Sequence, residues 1–463
     1  MIGVLISALH KSSGKTTVSL GVAAAMTARG INVQSFKKGP DYIDPMWLGL
    51  ASGRPCRNLD FHTMSPNNIA NFYLDHGDAA DMSLVEGNKG LFDGVDVAGT
   101  DSNAALAKLL GVPVVLVIDT RGMTRGIAPI IQGYTKFDKD IRVDGVILNW
   151  VGGPRHESKL RAALEHYTDV PVIGAIGRHP EMQIGERHLG LVPANEATEA
   201  AAVIERTRQV IEDSVDLGQL GVIACMAKES TEDCRPEMVL SKPDIRIAVA
   251  RDAAFGFYYP DDLEAMQRAG AEILPFDTIR DAQLPDCDGL FIGGGFPETQ
   301  AAELSANAPL RADIREKLAA GLPTYAECGG LMYLSQSLTW QGVRHDMVGA
   351  IPGDAVMHRT PVGRGYVRLE HTGLSPWPAA IDPSSDVAAH EFHYASLENL
   401  PANSDFAFKV TRGYGINGHH DGLVIGNVLA TFSHHRNIGG NDWVERFVGF
   451  VRRGGELKIE KHL

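Results

Sequence analysis

A cysteine at position 328 has neighbours that suit a nucleophile. It stands in Tyr-Ala-Glu-Cys-Gly-Gly-Leu-Met-Tyr-Leu, residues 325–334, after a short apolar run and before two glycines. A strand-turn-helix elbow at this place would expose the sulfur and direct the N–H of Gly329 towards the reacting atoms. Thiol catalysis needs more than one oxyanion donor, and the run Gly-Gly-Gly-Phe-Pro-Glu predicts them at Gly294 and Gly295. The pattern therefore indicates a catalytic thiol.

The thiol requires a histidine base from elsewhere in the chain. The segment Leu-Ala-Thr-Phe-Ser-His-His follows a predicted strand and offers His434 or His435. The plainer alternative is that Cys328 is a small buried hydrophobic residue, the usual place of a free cysteine. The glycine turn, the glycine-rich loop and the strand-end histidine together favour the catalytic interpretation. The other cysteines lack such neighbours, and we interpret them as structural: Cys56, Cys225, Cys234 and Cys287.

A second chemical signal stands at the beginning of the chain. Ala-Leu-His-Lys-Ser-Ser-Gly-Lys-Thr-Thr, residues 8–17, follows a predicted strand and opens a predicted helix. In such a phosphate loop the backbone N–H groups hold phosphate oxygens, a lysine reaches the β and γ phosphates, and a threonine hydroxyl binds Mg²⁺. A plain strand-to-helix turn that carries Gly-Lys-Thr is the alternative, since Leu9 replaces the first glycine of the full motif. The predicted nucleotide-binding residues are Ser12, Ser13, Gly14, Lys15, Thr16 and Thr17.

Acidic residues follow the next predicted strands. Phe-Lys-Lys-Gly-Pro-Asp-Tyr-Ile-Asp-Pro covers residues 36–45, and Glu-Gly-Asn-Lys-Gly-Leu-Phe-Asp-Gly covers residues 86–94. In a parallel sheet the carboxyl ends of the strands meet at the ligand crevice, so these carboxylates are expected near the phosphate loop. Surface solvation is the alternative for any single one. Because Mg²⁺ prefers carboxylates, water and phosphate oxygens, we predict a metal site of Thr16, Asp41 and Glu86.

One further residue is assigned to the nucleotide. Asn149 closes the predicted strand Gly-Val-Ile-Leu-Asn and is placed to meet an adenine edge. An ordinary strand-end cap is the alternative interpretation of this asparagine.

Alternating strands and helices must position these groups. Short runs that are apolar throughout suit a parallel sheet covered on both faces. Strand-helix alternation predicts an N-terminal doubly wound, mostly parallel α/β sheet with a nucleotide site of the phosphate-loop type. The strand candidates of this first set are 2–7, 33–36, 82–86, 114–119, 145–149 and 172–176, and 16–29 is a helix candidate.

A second series of predicted strands and helices begins after a change in amino-acid composition. Between about residues 206 and 243 a polar helix-like segment gives way to Ala-Lys-Glu-Ser-Thr-Glu-Asp-Cys-Arg-Pro-Glu, which is poor in core residues, so 206–243 is interpreted as a connection between domains. The predicted domains are 1–205 and 244–463. Strand candidates of the second domain are 246–250, 272–276, 289–292 and 323–326, and shorter strands are expected in 348–369 and 388–425.

Composition excludes several classes of protein. The 463 residues carry a net charge of −14, which would repel nucleic acid. The five cysteines are odd in number and have no zinc-site spacing, as expected in a reducing compartment. No apolar run reaches the ~18 residues that span a membrane. We therefore expect a cytoplasmic protein without a membrane or nucleic-acid partner.

At this point the motifs resemble a known family. Cys328, the Gly-Gly-Phe-Pro-Glu loop and His434 resemble a class I glutamine amidotransferase α/β domain. The phosphate loop resembles the ATP domain of dethiobiotin synthetase. Their fusion is similar to the cobyrinic acid a,c-diamide synthase family over nearly the whole chain, through Gly-Pro-Asp-Tyr-Ile-Asp-Pro, Gly-Arg-Pro-Cys-Arg-Asn-Leu-Asp, Glu-Arg-His-Leu-Gly-Leu-Val and His-Glu-Phe-His-Tyr.

The resemblance implies a ligase with two sites. One domain would hydrolyse glutamine at Cys328, with His434 as base, and the ammonia would travel inside the protein. The other would use MgATP to phosphorylate the a and c acetate carboxylates of a modified tetrapyrrole acid, which ammonia then converts to amides. Lys37, Asp44 and Asp93 are assigned to substrate binding and acyl transfer. A homodimer is a further expectation.

Some alternatives stay open in the sequence. The siroheme amidases and nickel-sirohydrochlorin a,c-diamide synthase share the same pattern, so the tetrapyrrole is not fixed. His435 competes with His434 as the base. No glutamate stands two residues after His434, and Glu391 or another group would orient the imidazole. A partition-type ATPase switch with a degenerate amidotransferase domain is the alternative from another functional class.

Overall fold

The computed structural model describes residues 2–182, 184–185, 191–196, 199–228, 242–379 and 386–455. The chain divides into two compact units, Met1–Arg235 and Pro236–Leu463. No helix in these described ranges is both long enough and apolar enough to cross a membrane. Residues 186–190 of the predicted Glu-Arg-His-Leu-Gly-Leu-Val motif and residues 229–241 of the predicted connection lie outside the described residues.

The first unit is built around a parallel sheet of seven strands. Their order is β3-β2-β4-β1-β5-β6-β7 and all neighbours are parallel, which confirms the predicted fold class. The strands are β1 (Gly3–Ala8), β2 (Val33–Lys38), β3 (Arg57–Leu59), β4 (Met82–Glu86), β5 (Val114–Asp119), β6 (Val143–Asn149) and β7 (Val172–Ala175). The helices are α1 (Lys15–Ala28), α2 (Ile43–Ser52), α3 (Pro66–Gly77), α4 (Asn103–Leu110), α5 (Ile127–Phe137), α6 (Pro154–Tyr167), α7 (Ala200–Ser214) and α8 (Leu217–Ala224).

The central strands carry the phosphate loop and the acidic residues at one edge. Every residue of β1, β2, β4 and β5 is buried, as the apolar runs predict for a sheet covered on both faces. The strand β1 leads into the loop before α1, β2 leads to Asp41, and β4 ends at Glu86. Since these strands are parallel neighbours, their carboxyl ends place the three segments side by side.

The N-terminal unit extends further than the sequence suggested. Residues 206–224, predicted as the first part of a connection, instead form most of α7 and all of α8. The helix α7 packs closely on α1, and a Cβ at Gly21 would lie 2.3 Å from Ile211 Cγ1. The helix α8 contacts β1, β6 and β7. Charged residues are frequent in α7, and α8 is a short apolar helix of eight residues directly before the polar stretch, so neither gives a strong signal of a domain core in the sequence.

The second unit is built around a mixed sheet of nine strands, in the order β10-β8-β11-β13-β22-β21-β20-β17-β18. Its strands and those beside it are β8 (Ile245–Ala250), β9 (Phe255–Phe257), β10 (Ala271–Phe276), β11 (Gly289–Ile292), β12 (Gly294–Gly295), β13 (Thr324–Glu327), β14 (Ser337–Trp340), β15 (Val343–Asp346), β16 (Asp354–Met357), β17 (Gly363–His371), β18 (Val387–His393), β19 (Ala395–Glu398), β20 (Asp405–Arg412), β21 (His420–Ile425) and β22 (Val428–Thr431). The helices are α9 (Pro260–Arg268), α10 (Ala301–Ala306), α11 (Ala308–Ala319), α12 (Gly329–Leu334) and α13 (Trp443–Arg452).

The sheet of the second unit changes direction at β22. The strands from β10 to β22 are parallel, and those from β22 to β18 are antiparallel. A separate sheet has the order β15-β14-β16-β19, and β12 pairs with β9. Hydrophobic cores lie on both faces of the large sheet, so that Ala326 belongs to one core and Tyr325 to the other. Because side chains alternate along β13, Glu327 lies on the same face as Tyr325, and Cys328 follows it at the turn.

Candidate active sites

The turn at Cys328 has the strained backbone of a nucleophile elbow. Cys328 connects β13 to α12 with φ 48° and ψ −99°, a conformation that L-residues rarely adopt. Its N–H donates to Thr431 O at 2.7 Å, which fixes the turn to the end of β22. A Cβ at Gly330 would lie 2.2 Å from Ile292 O, so only glycine allows α12 to pack this closely on β11. The sequence folds into the predicted elbow for these reasons.

The imidazole of His434 reaches the Cys328 sulfur. His434 is buried and follows β22, so the same strand end fixes both the thiol and the imidazole. Burial lowers the pKa of His434, but its hydrogen bond to Cys328, the negative charge of that sulfur when it is deprotonated, and the neighbouring Glu327 together raise the pKa to about 10. The Nδ1 atom of the ring lies 3.4 Å from Glu327 Oε2, which leaves Nε2 for the sulfur. The arrangement can move a proton between sulfur and imidazole.

Glu327 is the carboxylate beside the imidazole, and the sequence reasoning missed it. Its Oε1 accepts hydrogen bonds from Tyr325 Oη at 2.6 Å and from the His435 N–H at 3.0 Å. These two donors hold the carboxylate so that Oε2 faces His434. The signal available in the sequence was an acidic residue at the end of a buried strand, directly before the candidate nucleophile.

Glu391, one of the groups that the sequence left open for orienting the imidazole, is engaged elsewhere. It lies on β18 and accepts the N–H groups of Tyr414 at 2.7 Å and Gly415 at 2.8 Å. The nearest imidazole in an ion-pair geometry is that of His393, whose Nε2 lies 3.6 Å from Glu391 Oε2. Glu391 therefore holds the loop after β20 in place. The carboxylate that lies beside the His434 imidazole is that of Glu327.

His435 lies on the wrong side of the chain to act as the base. Successive residues of an extended segment point in opposite directions, so His435 turns away from the face that holds His434. Its ring packs near Phe408, 5.1 Å between centroids, and near Tyr325, 6.3 Å. Burial lowers the pKa of His435 to about 4. Of the two histidines that the sequence offered, the structure brings only His434 to the thiol.

The three predicted oxyanion glycines gather around the same atoms. A Cβ at Gly294 would lie 2.6 Å from His434 Cε1, and a Cβ at Gly329 would lie 3.1 Å from the Gly295 nitrogen. Gly329 is the first residue of α12, so the helix itself does not use its N–H. The backbone nitrogens of Gly295 and Gly329 are thus close together beside the elbow.

The phosphate loop of the first unit is held by hydrogen bonds that involve its own backbone. Gly14 precedes α1 with φ 88°, and the Ser13 hydroxyl donates to His10 O at 2.8 Å. Asn149 Nδ2 donates to Ser13 O at 3.0 Å, while its Oδ1 accepts the Trp150 N–H at 3.0 Å. Asn149, predicted to meet an adenine edge, therefore ties the loop to the end of β6. Ser12 is exposed and Thr17 is half-buried.

Lys15 is the first residue of α1, directly after the loop, and its pKa is shifted from the usual value. Its Nζ donates to His10 O at 3.3 Å, and the residue is largely buried. Burial and the neighbouring Lys37 lower the pKa of Lys15 to about 8, against the opposite effect of Glu86 and Asp44. An ammonium at this place contacts the backbone of the loop, where phosphate oxygens would be its further hydrogen-bond acceptors.

Thr16, Lys37, Asp44 and Glu86 form one polar cluster beside the loop. The Thr16 hydroxyl lies 2.7 Å from Glu86 Oε1 and 3.1 Å from Asp44 Oδ2. Lys37 Nζ donates to the same two oxygens at 2.9 Å and 2.5 Å. Burial lowers the pKa of Lys37, but Asp44 and Glu86 raise it well above its usual range. The cluster combines a hydroxyl, a fixed cation and two carboxylates.

The cluster fits a magnesium ion that keeps other ligands. Glu86 Oε2 is buried and has no hydrogen-bond partner in the described part of the chain. Burial raises the pKa of Glu86. No group of three or more His, Cys, Asp or Glu side chains could hold a metal among the residues that the structure describes. Because Mg²⁺ takes few protein ligands beside water and phosphate, Thr16 and one or two carboxylates suffice.

The carboxylate beside Thr16 and Glu86 is that of Asp44, and not that of the predicted Asp41. Asp41, predicted as a metal ligand, uses Oδ1 to accept the N–H groups of Ile43 and Asp44 at the start of α2. Burial and the charge of Asp44 raise the pKa of Asp41 to about 7. Asp44, assigned to the substrate, is the one beside Thr16. Asp93 is exposed and accepts the Gly90 N–H at 3.0 Å.

Comparisons with known proteins match each of the two units to a family model. Residues 6–192 match the CobQ/CobB/MinD/ParA nucleotide binding domain, and residues 246–440 match the CobB/CobQ-like glutamine amidotransferase domain. A cobyrinate a,c-diamide synthase of Magnetococcus marinus is 44% identical over 460 residues, which are 98% of each chain. The chain belongs to the cobyrinate a,c-diamide synthase family.

Two archaeal proteins of this family have similar extents. The cobyrinate a,c-diamide synthase of Methanosarcina acetivorans is 43% identical and covers 94% of this chain and 92% of its own. That of Methanosarcina barkeri is 40% identical and covers 98% and 97%. As a member of the cobyrinate a,c-diamide synthase family, the protein is a carbon–nitrogen ligase that takes nitrogen from glutamine. Glu327, Cys328 and His434 lie in the part of the chain that matches the amidotransferase domain. Lys15, Thr16 and Glu86 lie in the part that matches the nucleotide binding domain.

Proposed function

We propose that this ligase converts the a and c acetate carboxylates of cobyrinate, or of the metal-free hydrogenobyrinate, to amides at the expense of ATP and glutamine. Relatives that match the chain from end to end carry the name cobyrinate a,c-diamide synthase. The observation that carries the proposal is that each half of the reaction has its own assembled side chains: Cys328, His434 and Glu327 for nitrogen release, and Lys15, Thr16 and Glu86 for phosphate transfer.

The amidotransferase domain would release ammonia from glutamine. The Cys328 sulfur attacks the carboxamide carbon with its proton already held by His434, whose raised pKa favours the imidazolium form, and the Gly295 and Gly329 N–H groups stabilise the oxyanion. His434 then donates the proton to the departing ammonia, which leaves a thioester. Water hydrolyses the thioester to glutamate and restores the thiol. Glu327 Oε2 stabilises the imidazolium form of His434 during both proton transfers.

The nucleotide binding domain would activate the carboxylate. An acetate oxygen of the tetrapyrrole attacks the γ-phosphorus of ATP, which gives an acyl phosphate and ADP. Ammonia then attacks the acyl carbon, phosphate leaves and an amide remains. A carboxylate is a poor electrophile, so the phosphate supplies the leaving group that amide formation requires. We propose that ammonia reaches this site without entering bulk water, where protonation would remove its nucleophilic electron pair.

The polar cluster prepares the phosphate transfer. Lys15 would neutralise charge on the β and γ phosphates, and Thr16 and Glu86 are the residues that would hold Mg²⁺, which when bound would supply Lewis-acid stabilisation of phosphate charge. Lys37 lies between Asp44 and Glu86 and offsets their charge, so that a polyanion can approach these carboxylates. We assign Lys37 and Asp44 to this charge balance and to the acyl-transfer step, and Asp93 to the rim of the substrate site.

Siroheme and nickel-sirohydrochlorin are the alternative substrates, and a direct assay distinguishes them. The enzyme is incubated with MgATP, glutamine and one tetrapyrrole acid at a time, and mass spectrometry reports the number of acids converted to amides. We expect two amidations of cobyrinate or hydrogenobyrinate and none of the other macrocycles. Diamide formation on siroheme alone would transfer the proposal to that substrate.

Two variants separate the halves of the reaction. Cys328→Ala should lose glutamine-supported amidation and keep amidation with added ammonium salt. Lys15→Ala should lose both, because its defect lies in carboxylate activation. If Cys328→Ala lost both nitrogen sources, the division between the sites would be wrong. ATP hydrolysis that is indifferent to glutamine and tetrapyrrole would instead favour the partition-type switch.

A further inference from the structure

A second histidine covers the ring of His434. The rings of His390 and His434 are 4.9 Å apart between centroids and only 17° from parallel, which is an offset stack. His390 lies on β18, at the far edge of the large sheet, while His434 follows β22. An antiparallel bridge joins them, with His434 N–H donating to His390 O at 2.7 Å. The contact therefore joins two segments that are not neighbours in the sheet.

We propose that His390 is a positioning residue for glutamine hydrolysis. Its ring sets the plane of the His434 imidazole, so that one ring nitrogen faces Cys328 while the other faces Glu327. This inference rests on the proposed roles of Cys328 and His434, and it assigns to His390 no contact with glutamine.

The plane of the His434 ring needs such a constraint. The χ2 torsion of a histidine joins a tetrahedral carbon to a flat ring and has broad minima, so torsional preference alone does not fix the ring plane. Glu327 holds one atom of the ring, Nδ1, through a long 3.4 Å contact. Gly294 lies against the Cε1 edge. A flat surface along the ring face adds resistance to rotation about χ2 beyond the contacts at the two ring nitrogens, and His390 supplies such a surface.

His390 is itself held by a chain of buried contacts. Its Nδ1 lies 3.4 Å from Tyr259 Oη, and the two rings meet edge to face. The Arg436 guanidinium lies 5.0 Å from the centre of the Tyr259 ring. Arg436 Nε donates to Asp261 Oδ2 at 2.9 Å, and both side chains are buried. The stack on His434 is thus anchored to an ion pair at the beginning of α9.

Two substitutions of similar volume test the role of the flat ring. His390→Leu fills the space without a planar surface, and His390→Phe keeps the plane. We expect kcat of glutamine hydrolysis to fall about tenfold in His390→Leu. KM for glutamine should not change, because the defect affects the reaction step and not binding. His390→Phe should recover most of kcat, and amidation with ammonium salt should be normal in both.

His393→Leu is the matched control for packing. His393 is on the same strand, is buried, and stacks on Phe432 at 4.1 Å without contacting the His434 ring in any ring pair of the described residues. It should lower the melting temperature without the tenfold loss of kcat. Three results would overturn the inference: wild-type kcat in His390→Leu, an equal loss in His390→Phe, or an equal loss in His393→Leu. Cys328→Ala serves as a benchmark, since glutaminase activity in that variant would refute the proposed site itself.

Discussion

Glu327→Gln should nearly abolish glutamine hydrolysis, although the substitution changes one atom. Glu327 Oε1 accepts two hydrogen bonds, from Tyr325 Oη and the His435 N–H. The glutamine carbonyl oxygen would take these donors, so its NH₂ group would replace Oε2 opposite His434 Nδ1. The amide would then donate to Nδ1 and force the ring proton onto Nε2. An imidazole in that tautomer cannot accept the thiol proton of Cys328.

Two effects of different size contribute to the loss. The attraction between a carboxylate and an imidazolium at 3.4 Å is at most about 5 kcal/mol at an effective dielectric constant of about 20. Hydrogen bonds to charged groups contribute about 1.5–3 kcal/mol in practice, so removal of the charge alone would lower kcat about 10- to 150-fold. Where a carboxylate orients a catalytic histidine, the matching amide costs about 10⁴-fold because of the wrong tautomer. The tautomer should therefore dominate.

A comparison with Glu327→Ala separates the two effects. Alanine removes the charge but donates no proton to Nδ1, so we expect kcat to fall in the order wild type, Glu327→Ala, Glu327→Gln. Glutamate production measured from about pH 6 to about pH 11 reports the rate on both sides of the titration. It also reports the titration of His434, whose pKa the structure raises to about 10. Loss of the carboxylate removes a group that raises this pKa, so the pKa should fall in both variants.

Glu391→Gln is the matched control, because Glu391 is also a buried carboxylate of the second unit. Both of its oxygens accept backbone N–H groups, so an amide leaves one donor unmatched at a cost of about 1–3 kcal/mol in stability. Its kcat should remain close to wild type. A Glu327→Gln enzyme as fast as Glu327→Ala, or slower catalysis in Glu391→Gln than in Glu327→Gln, would refute the assignment of the orienting carboxylate.

Three further predictions concern single side chains whose neighbours the structure shows. Because the pKa of Lys15 is about 8, its charge is lost as pH rises, so ATP affinity from calorimetry should weaken above about pH 8; Lys15→Arg should remove this dependence, and a flat wild-type profile would contradict it. Gly294→Ala places a Cβ 2.6 Å from His434 Cε1, so glutaminase kcat should fall about a hundredfold while ammonia-supported amidation persists; normal hydrolysis would show that the ring is free to move. Glu86→Gln should raise the Mg²⁺ concentration for half-maximal synthesis about tenfold or more, and an unchanged titration would exclude Glu86 as a ligand.

The parallel strands and the elbow could be predicted because their signals are local. The strands β4, β5 and β11 have the predicted bounds, since continuous apolar runs ended by polar residues mark a buried strand. Cys328 and His434 each follow such a run. The orienting carboxylate could not be predicted in the same way. Glu327 and Glu391 are both buried acids, and only the pairing of β13 with β22 brings the first one to His434.

The choice between Asp41 and Asp44 also depends on three-dimensional geometry. Both follow β2 within one short segment, so their spacing to the phosphate loop looks equivalent in the sequence. The start of α2 separates them: Asp41 accepts the N–H groups that the first turn leaves free, and Asp44 lies within that turn. A side chain engaged with a helix end has one oxygen fewer for a metal. This difference exists only once the position of the helix start is known.

Each of the two candidate sites contains a buried carboxylate whose two oxygens have different surroundings. In Glu327 one oxygen is fixed by Tyr325 and the His435 N–H, and the other faces the imidazole. In Glu86 one oxygen is fixed by Thr16 and Lys37, and the other has no partner in the described part of the chain. A buried charge is costly unless it is hydrogen-bonded, so the first oxygen stabilises each group in place. In the proposed roles, the second oxygen is left to face a proton carrier in one site and a metal in the other. For this reason, loss of the fixing partners should impair each site even where the carboxylate itself is kept.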